Sequence, residues 1–258
     1  MHDLFDLYGG GCGCGGCASD DDVDMPTMPL IGDPAPEFSA MTTNGPINFP
    51  QDYAGRWVVL FSHPSDFTPV CTSEFMAFEA LQEELAELNT ALVGLSVGSV
   101  SSHLAWIDAI RGIKWRDWEN VGITFPVIDD IGMHVARLYG MIQPNASGTH
   151  AVRAVFIIDP KGIVRTIMYY PASVGRNMEE ILRAVIALQT SDAFKCSTPA
   201  DWTPGDPVLV GAPQTTDEMI KRQNRKDKSM DMRAWFMTFK PLSANTIFTK
   251  LKKPKKSK

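Results

Sequence analysis

FSHPSDFTPVCTSEF, residues 61–75, is the stretch that decides the fold. It is preceded by a continuous apolar run, Trp57 to His63, which ends at Pro64 as expected of a strand that is buried on both faces. It is followed by apolar residues that recur every three or four positions from Phe75 to Leu88, the period of an amphipathic helix. A buried strand that leads directly into an amphipathic helix is typical of a layered α/β fold.

The alternation of strand and helix patterns continues to about residue 190. Further strands are predicted over 91–97, 123–128, 152–158 and 164–170, and further helices over 101–110 and 178–188. Ser101 and Ser102 are candidate caps of the first of these helices, and Asn177 caps the second. Strands interleaved with helices indicate an α/β fold around a sheet with a mixed edge.

The two ends of the chain differ in composition from this middle part. Residues 1–28 form a leader with the run GGGCGCGGC (residues 9–17) and an aspartate-rich stretch, a composition that is expected to remain flexible. The folded domain is predicted over 29–194. From 195 to 258, prolines and glycines interrupt the periodicity, so we expect an extended arm without its own core and with one short helix at 217–223. Such an arm usually packs on a neighbouring subunit, which predicts a homo-oligomer.

Composition excludes several classes of protein. The chain has 258 residues, 44% of them hydrophobic, and no apolar run of the length needed to span a membrane. Its start lacks the pattern of a secretory signal, so a cytoplasmic location is expected. The net charge is −6, although the segment from Lys221 to Lys258 carries thirteen lysines or arginines and only two aspartates. An acidic body with a basic, solvated tail argues against nucleic-acid binding.

The cysteines are odd in number, at positions 12, 14, 17, 71 and 196, and are expected to be thiols rather than a disulfide framework. Cys71 lies in the first turn of the predicted helix, where the helix dipole and unpaired backbone N–H groups favour a nucleophilic thiolate. The alternative is a buried structural cysteine. Thr68 either directs its hydroxyl toward the thiolate or caps the helix. Pro64 and Pro69 lack N–H groups, so they cover the sulfur without competing for it.

Arg153 is the candidate cation of the site. When a thiolate attacks, negative charge moves onto the leaving atom, and a fixed positive group stabilises that charge. Arg153 begins a predicted strand of otherwise apolar residues, where an arginine without a function would be costly.

The segment at 61–75, with its P-x-x-x-T-x-x-C frame, resembles the peroxiredoxins. The resemblance extends over roughly residues 30–210 and is specific. It includes SSHLAW (101–106), FPVIDD (125–130), RAVF (153–156), YPASVGRNMEEILR (170–183), ALQ (187–189) and STPADWTPGD (197–206). The His63-Pro64 pair and the long arm are similar to the one-cysteine-type subfamily. The resemblance implies a thioredoxin-like fold of three layers around a mixed central sheet, dimers that often build decameric rings, and thiol-dependent reduction of hydrogen peroxide and organic hydroperoxides without a cofactor or a metal.

The resemblance also implies roles for individual residues. Cys71 would be the peroxidatic cysteine, which is oxidised to a sulfenic acid. Thr68 and Arg153 would bind and polarise the peroxide, and Pro64 would shield the site. Glu74 and Arg176 match a family pair that holds the first arginine, unless they form an ordinary surface ion pair.

His63 is either a hydrogen-bond donor behind the site or a satisfied histidine at the end of a strand. The chain departs from relatives that also carry a phospholipase serine and histidine, because Arg56 and Pro50 stand near those places. Relatives with long arms also carry resolving cysteines late in the arm, whereas this chain has no cysteine after Cys196.

The thiol that reduces the sulfenic acid stays open at this point. Cys196 could reach a partner subunit's active site, or it could be an unremarkable loop residue. Cys12, Cys14 and Cys17 could resolve the sulfenic acid, could bind a metal, or could be passive. An external thioredoxin-like or low-molecular-weight thiol is the simplest reductant. The alternative function is a thioredoxin-fold holdase or redox-signalling binding protein without turnover.

Overall fold

A seven-stranded mixed sheet forms the centre of the computed structural model, which describes residues 28–225 and 229–252. In chain order, its strands are β1 (Phe38–Thr42), β2 (Gly45–Phe49), β3 (Trp57–Ser62), β4 (Thr90–Ser96), β5 (Val127–Asp129), β6 (Arg153–Ile158) and β7 (Val164–Tyr170). They lie in the order β2-β1-β5-β4-β3-β6-β7. The first four helices are α1 (Pro69–Glu87), α2 (Val100–Arg111), α3 (His134–Leu138) and α4 (Met178–Phe194). The leader with its three cysteines lies outside the described residues.

Strand β3 occupies the interior of the sheet, with β4 parallel on one side and β6 antiparallel on the other. All six of its residues are buried, which explains the continuous apolar run in its sequence. Its side chains alternate between two cores. Val59 and Phe61 pack against α1, α2 and α4, whereas Val58 and Leu60 pack on the opposite face, which α3 covers. The three layers and the mixed sheet confirm the predicted fold class.

Several predicted boundaries were wrong by a few residues. Helix α2 begins one residue before the predicted capping serines, because Ser99 is the residue whose side chain accepts from Ser102 N. Strand β5 begins only after Pro126, which has no N–H to donate to a neighbouring strand. Helix α4 runs six residues beyond its predicted end, because Gln189 turns inward and donates to Leu88 O at 2.8 Å. The hairpin of β1 and β2 and the short helix α3 were not predicted.

The C-terminal arm folds back onto the domain of its own chain and forms a small sheet and two helices, so the expectation of an extended arm with a single short helix was wrong. It contains β8 (Val208–Leu209), α5 (Thr216–Gln223), β9 (Asp231–Ala234), β10 (Met237–Lys240) and α6 (Ala244–Leu251), with the three strands paired in the order β8-β10-β9. Trp202 and Ile247 are buried against Leu88 and Ile186 of the domain. These contacts join residues far apart in sequence, which periodicity cannot reveal. No helix of the described residues is both long enough and apolar enough to cross a membrane.

The packing of the arm predicts unequal effects of the same substitution at two of its isoleucines. Ile247→Ala removes a fully buried side chain and is expected to lower the free energy of unfolding by about 2–5 kcal/mol. Ile220→Ala, at a residue that is 45% exposed, is expected to change it by less than about 0.5 kcal/mol. Urea denaturation of both variants measures the difference. Equal midpoints would contradict the packing of α6 on the domain.

Candidate active site

The candidate site lies where β3 ends, α1 begins and β6 begins. Cys71 is the third residue of α1 and is fully buried. Arg153, the first residue of β6, donates from Nη1 to Cys71 Sγ at 3.2 Å. The structure therefore brings together the cysteine and the cation that the sequence singled out, although they are 82 positions apart. A guanidinium against the sulfur, at the N-terminal end of a helix, stabilises negative charge on that atom.

Hydrogen bonds hold the guanidinium of Arg153 at all three of its nitrogens. Its Nε and Nη2 donate to Ala172 O at 3.1 and 2.7 Å, and its Nη1 also donates to Glu74 Oε2 at 2.7 Å. Only 2% of the residue is exposed. The cation is thus fixed in place before any substrate enters, which is the arrangement that stabilises developing charge without reorganisation.

Glu74 joins Arg153 to a second arginine. Arg176 donates to Glu74 Oε1 from its backbone N and from Nε, both at 2.8 Å, and to Oε2 from Nη2 at 2.7 Å. Burial alone would raise the pKa of Glu74, but the positive charges and hydrogen bonds of Arg176 and Arg153 outweigh burial and lower it. Both side chains of the pair are almost completely buried, so the alternative of an ordinary surface ion pair is wrong.

Arg176 also connects strands β3 and β6, which meet at the site, through hydrogen bonds to their backbone carbonyls. Its Nη1 donates to Ser62 O at the end of β3 and to Ala154 O at the start of β6, each at 2.9 Å. The guanidinium carbon lies over the rings of Phe61 and Phe78 at 5.3 and 5.2 Å. The position of Glu74 is therefore tied to the strand ends rather than to a surface loop.

Thr68 occupies the N-cap position of α1, but its side chain does not cap the helix. Its hydroxyl donates to Ser65 O at 2.9 Å, and its backbone carbonyl accepts from the Thr72 hydroxyl at 2.8 Å. Because the hydroxyl proton is committed to Ser65, the oxygen lone pairs remain available as acceptors. Pro64 is half-buried in the same loop.

His63 is fully buried and takes part in a network that the sequence reasoning missed. Its Nε2 lies 2.9 Å from Asp66 Oδ1, and Asp66 also bonds to Ser102 and His103 of α2. The His63 Nδ1 atom is buried without a hydrogen-bond partner among the described residues, so His63 is not the fully satisfied histidine of one sequence-based interpretation. Burial lowers its pKa more than Asp66 raises it. The amino-acid sequence contains only a weak indication of this network, namely the histidines in the segments SHPSDF (62–67) and SSHLAW (101–106).

Cys196 is a half-buried free thiol at the junction of domain and arm. Its Sγ points to Thr190 O at 3.8 Å. Burial raises its pKa, an effect that the positive charge of Lys240 only partly offsets. In this position Cys196 is poorly suited to act as a nucleophile. Within the described part of the chain, no cluster of three or more His, Cys, Asp or Glu side chains has the arrangement of a metal site.

An open cavity of about 540 Å³ adjoins the N-terminal end of α1. Thr68, Pro69 and Thr72 line one side, and Trp106 and Trp115 line the other. The cavity provides an approach to the first turn of α1, on which Cys71 lies.

Comparison with known proteins agrees with this geometry. Residues 31–167 match the AhpC/TSA family, and residues 187–226 match the C-terminal domain of 1-Cys peroxiredoxin. A peroxiredoxin of Methanosarcina mazei is 54% identical over 214 residues, which cover 83% of this chain and 98% of that protein. A peroxiredoxin of Aquifex aeolicus is 47% identical over 210 residues, or 78% of this chain and 92% of that protein.

Two solved structures share the fold. The yeast mitochondrial 1-Cys peroxiredoxin, whose thiol resolving mechanism proceeds via glutathione/thioredoxin systems, matches with a TM-score of 0.72 at 39% identity, over 83% of this chain and 100% of that one. A cysteine-to-serine mutant of the peroxiredoxin 6 of Arenicola marina matches with a TM-score of 0.69 at 32% identity, over 82% and 97%. The chain therefore belongs to the AhpC/TSA family, on its 1-Cys-type peroxiredoxin branch of thiol-dependent peroxidases.

Proposed function

We propose that this peroxidase reduces hydrogen peroxide and organic hydroperoxides at Cys71, with Arg153 and Thr68 as the residues that bind the peroxide. The observation that carries the proposal is the 3.2 Å contact between Arg153 Nη1 and Cys71 Sγ inside a buried site. Pro64 shields the sulfur from the side of the loop, and Glu74 and Arg176 hold Arg153 in position. The peroxidase function needs no cofactor.

The chemical step is a displacement at oxygen. The Cys71 thiolate attacks one peroxide oxygen, so that an S–O bond forms and the O–O bond breaks. The leaving oxygen takes the electron pair and a proton and departs as water or an alcohol, and Cys71 becomes a sulfenic acid. Arg153 donates to the oxygen on which negative charge develops. Thr68, whose own proton is held by Ser65, accepts the peroxide O–H and orients it.

A passive holdase or binding module is the less favoured alternative. Such a protein has no use for two arginines and a glutamate buried beside a cysteine, since taking these charges out of water is costly. In a catalyst, the same buried charges stabilise the charge that develops during the reaction, which accounts for the free energy spent on burying them.

The sulfenic acid must then be reduced by a thiol, and we propose an external one, either thioredoxin-like or of low molecular weight. The reductant's thiolate attacks Cys71 Sγ, an S–S bond forms, the S–O bond breaks, and the oxygen leaves as water with the proton that the reductant's thiol gave up. A second thiol of the reductant system then attacks the mixed disulfide, forms its own disulfide and releases Cys71 as a thiolate. Because Cys71 is fully buried, the first turn of α1 has to open before a thiol can reach it. The pKa of Cys196, raised by burial, speaks against this residue as the resolving thiol. The yeast relative's use of glutathione/thioredoxin systems supports the same choice.

We further propose that the chain forms a homodimer, with decameric rings as its larger assembly, and works in the cytoplasm. Strand β7 lies at the edge of the sheet, and beyond Val164 its outer side has no partner strand among residues 28–225 and 229–252. An exposed edge is a template for pairing with a second copy. A cytoplasmic location supplies the reducing thiols that the cycle consumes. Fractionation of the source cells tests it, and recovery of the protein outside the cytoplasm would contradict it.

Arg153→Met is expected to slow the oxidation of Cys71 by hydrogen peroxide about 100-fold, because the donor to the developing charge is lost. Stopped-flow measurement of the second-order rate constant checks this, with Cys71→Ser as the zero-activity baseline. Arg183→Met is the matched control, since Arg183 pairs with Glu180 on α4, away from the sulfur. Equal rates for Arg153→Met and the wild type would refute the role of the cation.

A variant that combines Cys196→Ser with deletion of residues 1–24 is expected to keep its turnover with an external thiol within about twofold of wild type, because the reductant attacks the sulfenic acid directly. Turnover with a thioredoxin system and with glutathione measures this. Mass spectrometry of the peroxide-treated wild type is the independent check. A disulfide that joins Cys71 to Cys196 or to a leader cysteine, together with lost turnover of the variant, would contradict the external reductant. It would show that a thiol of the chain itself reduces the sulfenic acid.

Analytical ultracentrifugation is expected to give a sedimenting mass of at least two chains for the reduced protein. The physical reason is the unpaired edge of β7, which satisfies its backbone groups by pairing with a second copy. A monomer at micromolar concentration would contradict the proposed assembly and would leave the proposed chemistry untouched.

A further inference from the structure

The buried carboxylate of Asp66 lies within hydrogen-bond distance of side chains from the end of β3, from β4 and from α2. Its Oδ1 lies 2.9 Å from His63 Nε2 and 3.4 Å from Ser96 Oγ, whereas its Oδ2 lies 2.7 Å from both Ser102 Oγ and His103 Nδ1. Burial alone would raise the pKa of Asp66, but hydrogen bonds from His103, His63 and Ser102 outweigh it and hold the pKa far below its usual range. The carboxylate therefore acts only as an acceptor.

His103 holds the Asp66 carboxylate from the side of α2. The Nδ1 of His103 faces the Asp66 carboxylate, and its Nε2 lies 3.1 Å from Ile128 O. Each ring nitrogen of His103 therefore lies within hydrogen-bond distance of an oxygen acceptor. His63 has its Nε2 on Asp66 and no partner for Nδ1 within the described chain, which suits a neutral ring. Asp66 and His103 are thus joined by a buried hydrogen bond of 2.7 Å.

The hydrogen bonds of Asp66 connect the loop that leads to Cys71 with α2. Asp66 lies in that loop, five residues before Cys71, and Ser102 and His103 lie in the first turn of α2. The backbone of Gly98 passes close to the network and leaves little room beside it. A Cβ atom at Gly98 would lie 3.0 Å from His103 Cε1.

A second connection between α2 and the site lies on the other side of Cys71. Trp106 Nε1 donates to Thr72 Oγ1 at 3.2 Å, and Thr72 Oγ1 donates in turn to Thr68 O at 2.8 Å. Trp106 also packs against Phe75 of α1, with the ring centroids 4.4 Å apart. The chain around Cys71 is therefore hydrogen-bonded to α2 at two places, at Asp66 before the cysteine and at Thr72 after it.

We infer that Asp66 is a positioning residue of the peroxidase, which latches the loop before Cys71 onto α2 and so keeps Cys71 in the buried arrangement that reacts with peroxide. The inference rests on the proposed function, because it assumes that Cys71 reacts with peroxide while buried and with thiols only after the first turn of α1 opens. Loss of the latch raises the population of the open arrangement.

Asp66→Asn tests the latch with little change of shape. An amide replaces one acceptor oxygen by a donor, so the charge-assisted bonds to His103 and Ser102 are lost. Two rates are measured on the reduced full-length protein, both by mass spectrometry of the peptide that contains Cys71. Labelling by a bulky maleimide reports opening, and oxidation by hydrogen peroxide reports the closed arrangement.

For Asp66→Asn, labelling is expected to be at least about tenfold faster than in the wild type, because charge-assisted hydrogen bonds of the closed state are missing. Oxidation by peroxide is expected to slow by less than about threefold, since the closed state still dominates when the open state is a minor one. Simple loss of structure would instead abolish peroxide oxidation along with the gain in labelling. Unchanged labelling of Asp66→Asn would overturn the inference.

Asp130→Asn is the matched control. Asp130 is similarly buried, but its carboxylate accepts from Val135 N and Ala136 N of α3, on the opposite face of the sheet. Both Cys71 rates are expected to stay at their wild-type values. An increase in labelling equal to that of Asp66→Asn would mean general destabilisation and would also overturn the inference.

Ser102→Ala keeps the test decisive if Asp66→Asn does not fold. It removes one of the hydrogen bonds to the carboxylate, and labelling is expected to rise about threefold or more with peroxide oxidation unchanged. No rise in labelling would refute the latch. Slow oxidation of the wild-type Cys71 by peroxide would instead refute the proposed function, and the labelling comparison would still report on Asp66.

Discussion

The active site depends on one buried carboxylate, Glu74, which binds two guanidinium groups at once. Arg153 and Arg176 carry two positive charges, and Glu74 supplies one negative charge, so this cluster alone would leave one buried positive charge unbalanced. A thiolate at Cys71, in contact with Arg153, restores neutrality. Unpaired charge in the interior is strongly disfavoured. The same ion pairs that fix the cation therefore also hold a positive charge against the sulfur.

This cluster links stability to function, because its members also close the end of the sheet. Arg176 binds the last carbonyl of β3 and a carbonyl of β6, so a change in its position would move the strand ends as well as Glu74. Arg153 in turn holds Ala172 O in the segment between β7 and α4. The site is assembled from four chain segments, which the hydrogen bonds of Arg153, Arg176 and Glu74 hold together. The geometry around the sulfur is thus set by the fold rather than by substrate.

Sequence reasoning predicted the parts of the site that have a local signal. The strand that ends at Pro64 and the helix that follows placed Cys71 in a first turn, and an arginine in an apolar strand marked Arg153. The Asp66 and His103 pair has only a weak signal, because its partners are 37 positions apart and each looks like an ordinary polar residue. The packing of Trp202 on the domain was missed for the same reason. Contacts between distant residues depend on topology, which periodicity alone does not reveal.

Burial of Cys71 sets two requirements that conflict. A small peroxide can react within a closed, charged pocket, whereas a thiol reductant needs the sulfur exposed. The element that carries Cys71 therefore has to close in one defined geometry without closing too tightly. Apolar packing would give tight closure with little directionality. The buried hydrogen bonds of the Asp66 carboxylate contribute modest net stability, because the cost of taking the carboxylate out of water offsets much of their attraction, yet they are satisfied in one arrangement only. That combination suits the proposed cycle, in which the first turn of α1 opens for the reductant and closes for the peroxide.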